Sequence, residues 1–265
     1  MTTTSITTLA LAATMAALLG AAQPAAAQAF DAVHLQAMPG GTVGLAAIGA
    51  PEYLGSDQRK SLVLPTLSYQ WANGWFAGID NGVGYNFSKD PTLQYGARLT
   101  ADLGRQSGDV AALRGMGDVD AQAEIGGFLT YRPAEGLSLT SSLRYGSGKS
   151  GNGALLDLGV GYALPVGTYW RLGARISATV ADQNYMQSYF GVDAQQETRS
   201  GYAVYTPEAG LRDARVGLSL TYLLAPRTFV TAAVSSSALG DGAKASPVTR
   251  STSSNAAVLA LTYAF

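Results

Sequence analysis

The groups that could do chemistry are few and scattered. Gly146-Ser147-Gly148-Lys149-Ser150 ends like a phosphate-cradling loop, but the first glycine of that pattern would fall at Leu143. The context is a hairpin tip rather than a strand feeding a helix, so a solvated loop is the better reading. Asp118, Asp120 and Glu124 offer hard oxygen ligands, yet their spacing lacks the loop glycine and distal glutamate of a calcium loop. His34, the single histidine, is far from any serine in a Gly-x-Ser-x-Gly turn, so nucleophile, base and orienting acid cannot be assembled. With no cysteine, thiolate metal sites, disulfides and a cysteine nucleophile are absent. Asn86-Phe87-Ser88 is a formal glycosylation sequon. The expectation is a non-enzyme with no catalytic residue, cofactor or metal.

The elements that carry the remaining polar groups repeat every two residues. From 170 to 180, Trp170, Leu172, Ala174, Ile176, Ala178 and Val180 share one face, and Arg171, Gly173, Arg175, Ser177 and Thr179 share the other. The same split separates Leu93, Tyr95, Ala97, Leu99 and Ala101 from Gln94, Gly96, Arg98, Thr100 and Asp102, and it recurs at 137–145 and 215–224. Each is a strand with one greasy face. A soluble sandwich would turn a charged face outward, but only 13% of the 265 residues are charged while 47% are hydrophobic, against roughly 25% charge in soluble domains. Strands of about ten residues, aromatic residues near their ends (Tyr69, Trp71, Trp75, Tyr145, Tyr162, Trp170, Tyr222, Tyr263) and small polar residues opposite fit a closed antiparallel β-barrel in lipid. The 17 basic and 18 acidic residues nearly cancel, which excludes a nucleic-acid partner.

Residues 1–27 read as an export signal, with an apolar stretch from 6 to 20 and Ala25-Ala26-Ala27 before Gln28. Residues 28–40 form an N-terminal periplasmic segment, and 41–265 form the barrel. Turn clusters of Gly, Pro, Asn and Asp divide the barrel into twelve strands, near 41–50, 61–70, 74–80, 83–88, 92–104, 118–132, 136–147, 154–164, 168–181, 208–224, 227–237 and 256–265. Ten is the alternative if Asn81-Gly82 is a bulge rather than a turn. Even parity, with the long connections on the outer side, favours the turn. The last strand puts Leu259, Leu261, Tyr263 and the terminal Phe265 on one face, a pattern resembling the signal read by the outer-membrane insertion machinery.

Several segments carry a family resemblance. Pro51-Glu52-Tyr53-Leu54-Gly55-Ser56-Asp57, Leu113-Arg114-Gly115-Met116-Gly117-Asp118-Val119-Asp120 and Tyr185-Met186-Gln187-Ser188-Tyr189-Phe190-Gly191-Val192 resemble the MipA/OmpV family, followed in the family's order by Ser200-Gly201, Ala209-Gly210-Leu211 and Ser246-Pro247-Val248. The resemblance implies an outer-membrane barrel that bridges a lytic transglycosylase and a bifunctional penicillin-binding protein in murein synthesis. Other members are discussed as channels or adhesins, so a narrow pore or an adhesin is the alternative. The candidate interaction or mouth-lid residues are Pro51, Tyr53, Gly55, Asp57, Tyr185, Tyr189, Phe190 and Gly191. The inward charges Arg98, Asp102, Asp120, Glu124, Arg144, Asp157, Arg171, Arg175 and Arg215 form either a cross-strand network filling the lumen or the selectivity lining of a pore. In the filled reading, Arg171 and Arg175 pair with Asp120, Glu124 or Asp157.

Overall fold

The structure, a computed structural model, describes residues 40–108 and 110–265. The expected signal peptide, residues 28–39 and His34 lie outside the described residues. The chain runs β1 (Gly40–Pro51), β2 (Arg59–Gln70), β3 (Trp75–Gly78), β4 (Gly82–Asn86), β5 (Leu93–Asp102), β6 (Gln122–Ala134), β7 (Leu137–Ser147), β8 (Gly153–Val166), β9 (Trp170–Ala181), β10 (Gly210–Ala225), β11 (Thr228–Leu239) and β12 (Ser253–Ala264). Helices α1 (Gln183–Phe190) and α2 (Ala194–Ser200) occupy the β9–β10 connection, and α3 (Asp241–Lys244) lies between β11 and β12. Each strand pairs antiparallel with its sequence neighbours, and β1 pairs with β12 to close the barrel.

Alternation sorts the side chains. On β5, Leu93, Tyr95 and Leu99 are exposed on the outside, while Asp102 is buried within. An outward apolar surface on every strand, with no free end to the sheet, is the form in which a β-protein crosses a bilayer. No helix among the described residues is long and apolar enough to do so.

Gly78 pairs with Gly82 across β3 and β4, so residues 79–81 form a hairpin tip and the strand count is twelve. Gly82 has φ +73°, and a Cβ there would come within 1.9 Å of the Leu99 carbonyl oxygen, so only glycine fits this turn. β3 and β4 are four and five residues long, and the upper part of β2 consequently has no strand partner on that side. The Ile79 N–H donates to the Leu67 carbonyl at 3.0 Å. Leu67 therefore turns its backbone groups away from β1, and the two-residue period turns Pro65 the same way. A residue without an N–H suits this unpaired edge.

The connections 52–58, 103–121, 148–152, 182–209 and 240–252 gather at one end of the barrel, and the short turns, Gly40 and Phe265 gather at the other. β6 begins at Gln122 rather than near 118, because Val119 forms an isolated bridge with Arg105 and is drawn into the mouth. β12 begins at Ser253, ahead of the expected 256. Apolar packing sits in three places. Ala46, Ile48, Ala50, Leu64, Ala233, Val258 and Ala260 cover the inner wall of β1, β2, β11 and β12, with Leu103 from beyond β5 packed against them. Two further clusters fill the long-loop end.

Candidate functional site

The mouth is built from α1 and the loops around it. Asp182 caps α1 by accepting from the Tyr185 N–H at 2.9 Å, and the i, i+4 spacing sets Tyr185 and Tyr189 on one face, stacked with ring centroids 4.5 Å apart. Tyr185, Met186, Tyr189 and Phe190 are buried against Leu54, Val119, Leu155, Ala181, Leu239 and Ala243. Burial of such side chains is worth about 1.5–3 kcal/mol each, ample to hold an eight-residue helix that would not form alone. A second layer, Tyr53, Val110, Leu113, Met116, Val192 and Val248, lies beside it.

Buried polar groups tie α1 to the wall. The Tyr189 hydroxyl lies 2.7 and 2.6 Å from the two oxygens of Asp102 and donates to that carboxylate. Asp102 also accepts from the N–H groups of Gly104 at 3.1 Å and Gly148 at 3.2 Å. Arg105, 4% exposed, donates to the Tyr189 carbonyl at 2.5 Å and stands 5.8 Å from the Tyr189 ring centroid. Arg212, 1% exposed, donates to the Tyr185 hydroxyl at 2.9 Å and to Asp213 at 2.7 Å. Burial pushes the Tyr185 phenol up to about 12 against the opposing pull of Arg212. Burial also raises Tyr189, helped by the neighbouring Tyr185 and Asp102. Loss of hydration lowers Arg105 from its ordinary value.

Below the mouth lies a charge layer. Arg144 bridges Glu124 at 3.0 Å and Asp157 at 2.9 Å. Glu124 has no exposed side-chain surface, and its Oε2 also accepts from Thr100 at 2.9 Å, while Asp157 accepts from Thr179 at 2.8 Å. Arg215 stands 3.5 Å from Asp213, and a cavity of ≈ 10 Å³ beside it, lined by Ser235, Ser237 and Ser254 among others, has room for one water. Arg98 donates to Ser142 at 2.8 Å and lies 5.9 Å from the Phe128 ring centroid.

Three placements correct the expected network. Asp120 is exposed and precedes β6, so strand alternation does not act on it. Arg175 donates to Thr140 at 3.0 Å and joins no ion pair among the described residues. Arg171 is exposed at the short-turn end of β9 and has no acid partner there either. The reason is register: Thr179, not Arg175, pairs with Asp157, and Arg175 pairs with Gly161.

In the first loop, Tyr53 is buried and donates to the Val248 carbonyl at 2.9 Å, and the Gly55 carbonyl accepts from the N–H groups of Arg250 at 2.7 Å and Ser251 at 2.9 Å. Pro51 is buried at the end of β1, Asp57 is exposed, and Gly191 ends α1. The Gly146–Gly148 stretch is buried against the mouth, and only Lys149 and Ser150 are exposed, which differs from a fully solvated tip. At the opposite end, Phe265 exchanges backbone hydrogen bonds with Gly41 at 3.0 and 2.9 Å, and its ring lies 6.2 Å from that of Tyr69. Among the described residues, no three His, Asp or Glu side chains are grouped to hold a metal ion.

A family model described as MltA-interacting protein MipA matches residues 43–265. The chain belongs to that family. Among curated proteins none matches it. Among solved structures, this MipA-family barrel is similar to the NanC porin, with 12% identity, TM-score 0.49, and 83% of this chain and 98% of the other covered. It is also similar to the KdgM porin, with 9% identity, TM-score 0.46, and 84% and 99% covered. The outer membrane channel DcaP of Acinetobacter baumannii gives 9% identity, TM-score 0.40, and 85% and 96% covered. Family and barrel together make the chain an outer-membrane protein.

Arg105, Arg212 and Asp213 are the mouth residues that sequence reasoning missed. Arg212-Asp213 carried a signal, since two adjacent charges break the alternation of β10. The register of β10 on β9 shifts between Leu211 and Asp213, a bulge that turns both side chains inward.

Proposed function

We propose that this MipA-family barrel is a non-conducting outer-membrane scaffold that holds a lytic transglycosylase, and with it a bifunctional penicillin-binding protein, at its short-turn end. The observation that carries the reading is the packed mouth. α1 is fastened by Asp102, Arg105 and Arg212 through buried hydrogen bonds, and its aromatic residues fill space at the long-loop end that a wide aqueous pore would leave to water. Bacterial barrels turn their short connections to the periplasm, where murein enzymes work, so the partner surface consists of turns 71–74, 87–92, 135–136, 167–169 and 226–227. The polar lower lumen favours a second reading, a narrow pore.

Two measurements separate the readings. Crosslinking in intact envelopes is expected to recover murein enzymes with the barrel, and substitutions in the short turns are expected to abolish that recovery. Planar bilayers are expected to show no steady conductance. Stepwise conductance without any captured murein enzyme would overturn the scaffold and establish the pore.

A further inference from the structure

On one side the barrel wall is incomplete in its upper half. β2 pairs with β1 along its whole length, from Arg59 to Gln70, but on its other edge the ladder to β3 covers only Ser68, Tyr69 and Gln70. β5 likewise pairs with β4 only as far as Leu99. The hairpin between them does not rise to fill the space: inward Arg98 donates to the Asn81 side chain at 3.4 Å, so the tip leans toward the lumen. A groove is left in the lipid-facing surface between the upper parts of β2 and β5. Leu62 and Leu103 pack on the inner cluster that includes Leu64, and this gives the groove an apolar back.

The polar groups of the free edge are graded with depth. Ser61, Val63 and Pro65 turn their backbone groups the same way as Leu67, away from β1. The Leu67 carbonyl is taken by the Ile79 N–H and Pro65 has no N–H. Among the described residues, the free donors of this stretch are therefore the N–H groups of Ser61 and Val63, beside the exposed Ser61 side chain. Exposed Arg59 tops the strand and donates to the Asn255 carbonyl at 2.9 Å. It precedes Tyr69 by ten residues, a climb of about 25 Å on a strand tilted by about 40°, which is the height of a barrel's apolar band. The cation thus stands at the outer interface, the two N–H groups lie just beneath it, and below them the edge offers no donor.

We propose that this groove holds one outer-leaflet lipid with an anionic headgroup and amide- or ester-linked acyl chains. The groove is continuous with the lipid-facing surface, bordered by Val63, 66% exposed, and by exposed Val83 and Leu99. Arg59 meets the headgroup, the Ser61 and Val63 N–H groups donate to the linkage carbonyls, and an acyl chain runs down past Pro65. Backbone donors are not left bare in hydrocarbon, so the occupant carries acceptors at that depth. A second copy cannot supply them: in one membrane both β2 strands run toward the short turns, and their tilt makes two facing edges cross at about 70–90°. The assignment rests on the orientation of the barrel and is independent of the scaffold reading.

The test places benzoylphenylalanine at Val63 or, as control, at Ile176. Ile176 is 65% exposed and follows Trp170 by as many residues as Val63 precedes Tyr69, but its strand is paired on both edges. The full-length barrel is purified from outer membranes in dodecyl maltoside, irradiated, and its adducts identified by mass. A lipopolysaccharide adduct is expected at Val63 and none at Ile176, where loosely held lipid has been washed away. Arg59→Glu should reduce the Val63 adduct about tenfold, the loss of one charge-assisted contact, whereas Lys149→Ala in the β7–β8 connection should leave it unchanged. Equal adducts at the two positions, no adduct at either, or an inner-leaflet glycerophospholipid at Val63 overturns the proposal. If the Val63 replacement fails to assemble, the same probe at Val83, exposed at the foot of the groove, gives the reading.

Discussion

Arg144 and Arg175 differ by what each would leave behind. Both are inward arginines, but Arg144 neutralises a glutamate with no exposed side-chain surface and a neighbouring aspartate. Arg144→Ala should cost about 3–5 kcal/mol in urea unfolding, the penalty of a buried ion stripped of its partner. Arg175→Ala loses one hydrogen bond to Thr140 and should cost about 0.5–1.5 kcal/mol. Pairing the first substitution with Glu124→Gln should recover much of the loss. Equal costs for the two arginines would remove the distinction between the charge layer and the lumen below it. Inward placement of both was legible from alternation, but which acid each one meets was not, since pairing across strands depends on register.

At the scale of the element, α1 is held by tyrosines whose ionisation would expel it. The folded Tyr185 phenol sits at about 12, above its ordinary value near 10. Below pH 10 it is neutral in both states and its contribution is complete; between 10 and 12 the released helix loses the proton first, so the contribution falls as pH rises. Tyr189 is raised as well, which adds to the same trend. Alkaline titration should therefore loosen the 182–209 connection before the barrel wall opens, seen as protease cleavage within that connection while the strands stay protected. Tyr185→Phe should remove one late-titrating phenol from the tyrosinate absorbance. Cleavage already present at neutral pH would show that α1 is not packed as described. The apolar residues of 185–190 signalled in the sequence that this loop needs a packing partner. Arg105 gave no such signal, and Arg212 showed only as the break in alternation at Arg212-Asp213, because they arrive from connections and bulges where the period of two breaks.

For the whole molecule, closure is made by β12 on β1, and Phe265 extends that seam. Phe265 bonds to Gly41 where β12 meets β1, so deleting Phe265 should lower the amount of barrel reaching the outer membrane, measured as the heat-modifiable band on gels run with and without boiling. Unchanged levels would show that the remainder of β12 suffices. The twelve strands, the lipid-facing surface and the end that carries the long loops were all determined by the sequence alone, since alternation and turn residues are local properties that each strand expresses without reference to its neighbours. The packed mouth, the three-residue bridge through Arg144 and the placement of Arg171 and Arg175 outside that bridge were decided only by the tertiary structure. They depend on strand stagger, on the Leu211–Asp213 shift and on how far each loop folds back, and these are set by contacts between residues distant in the chain.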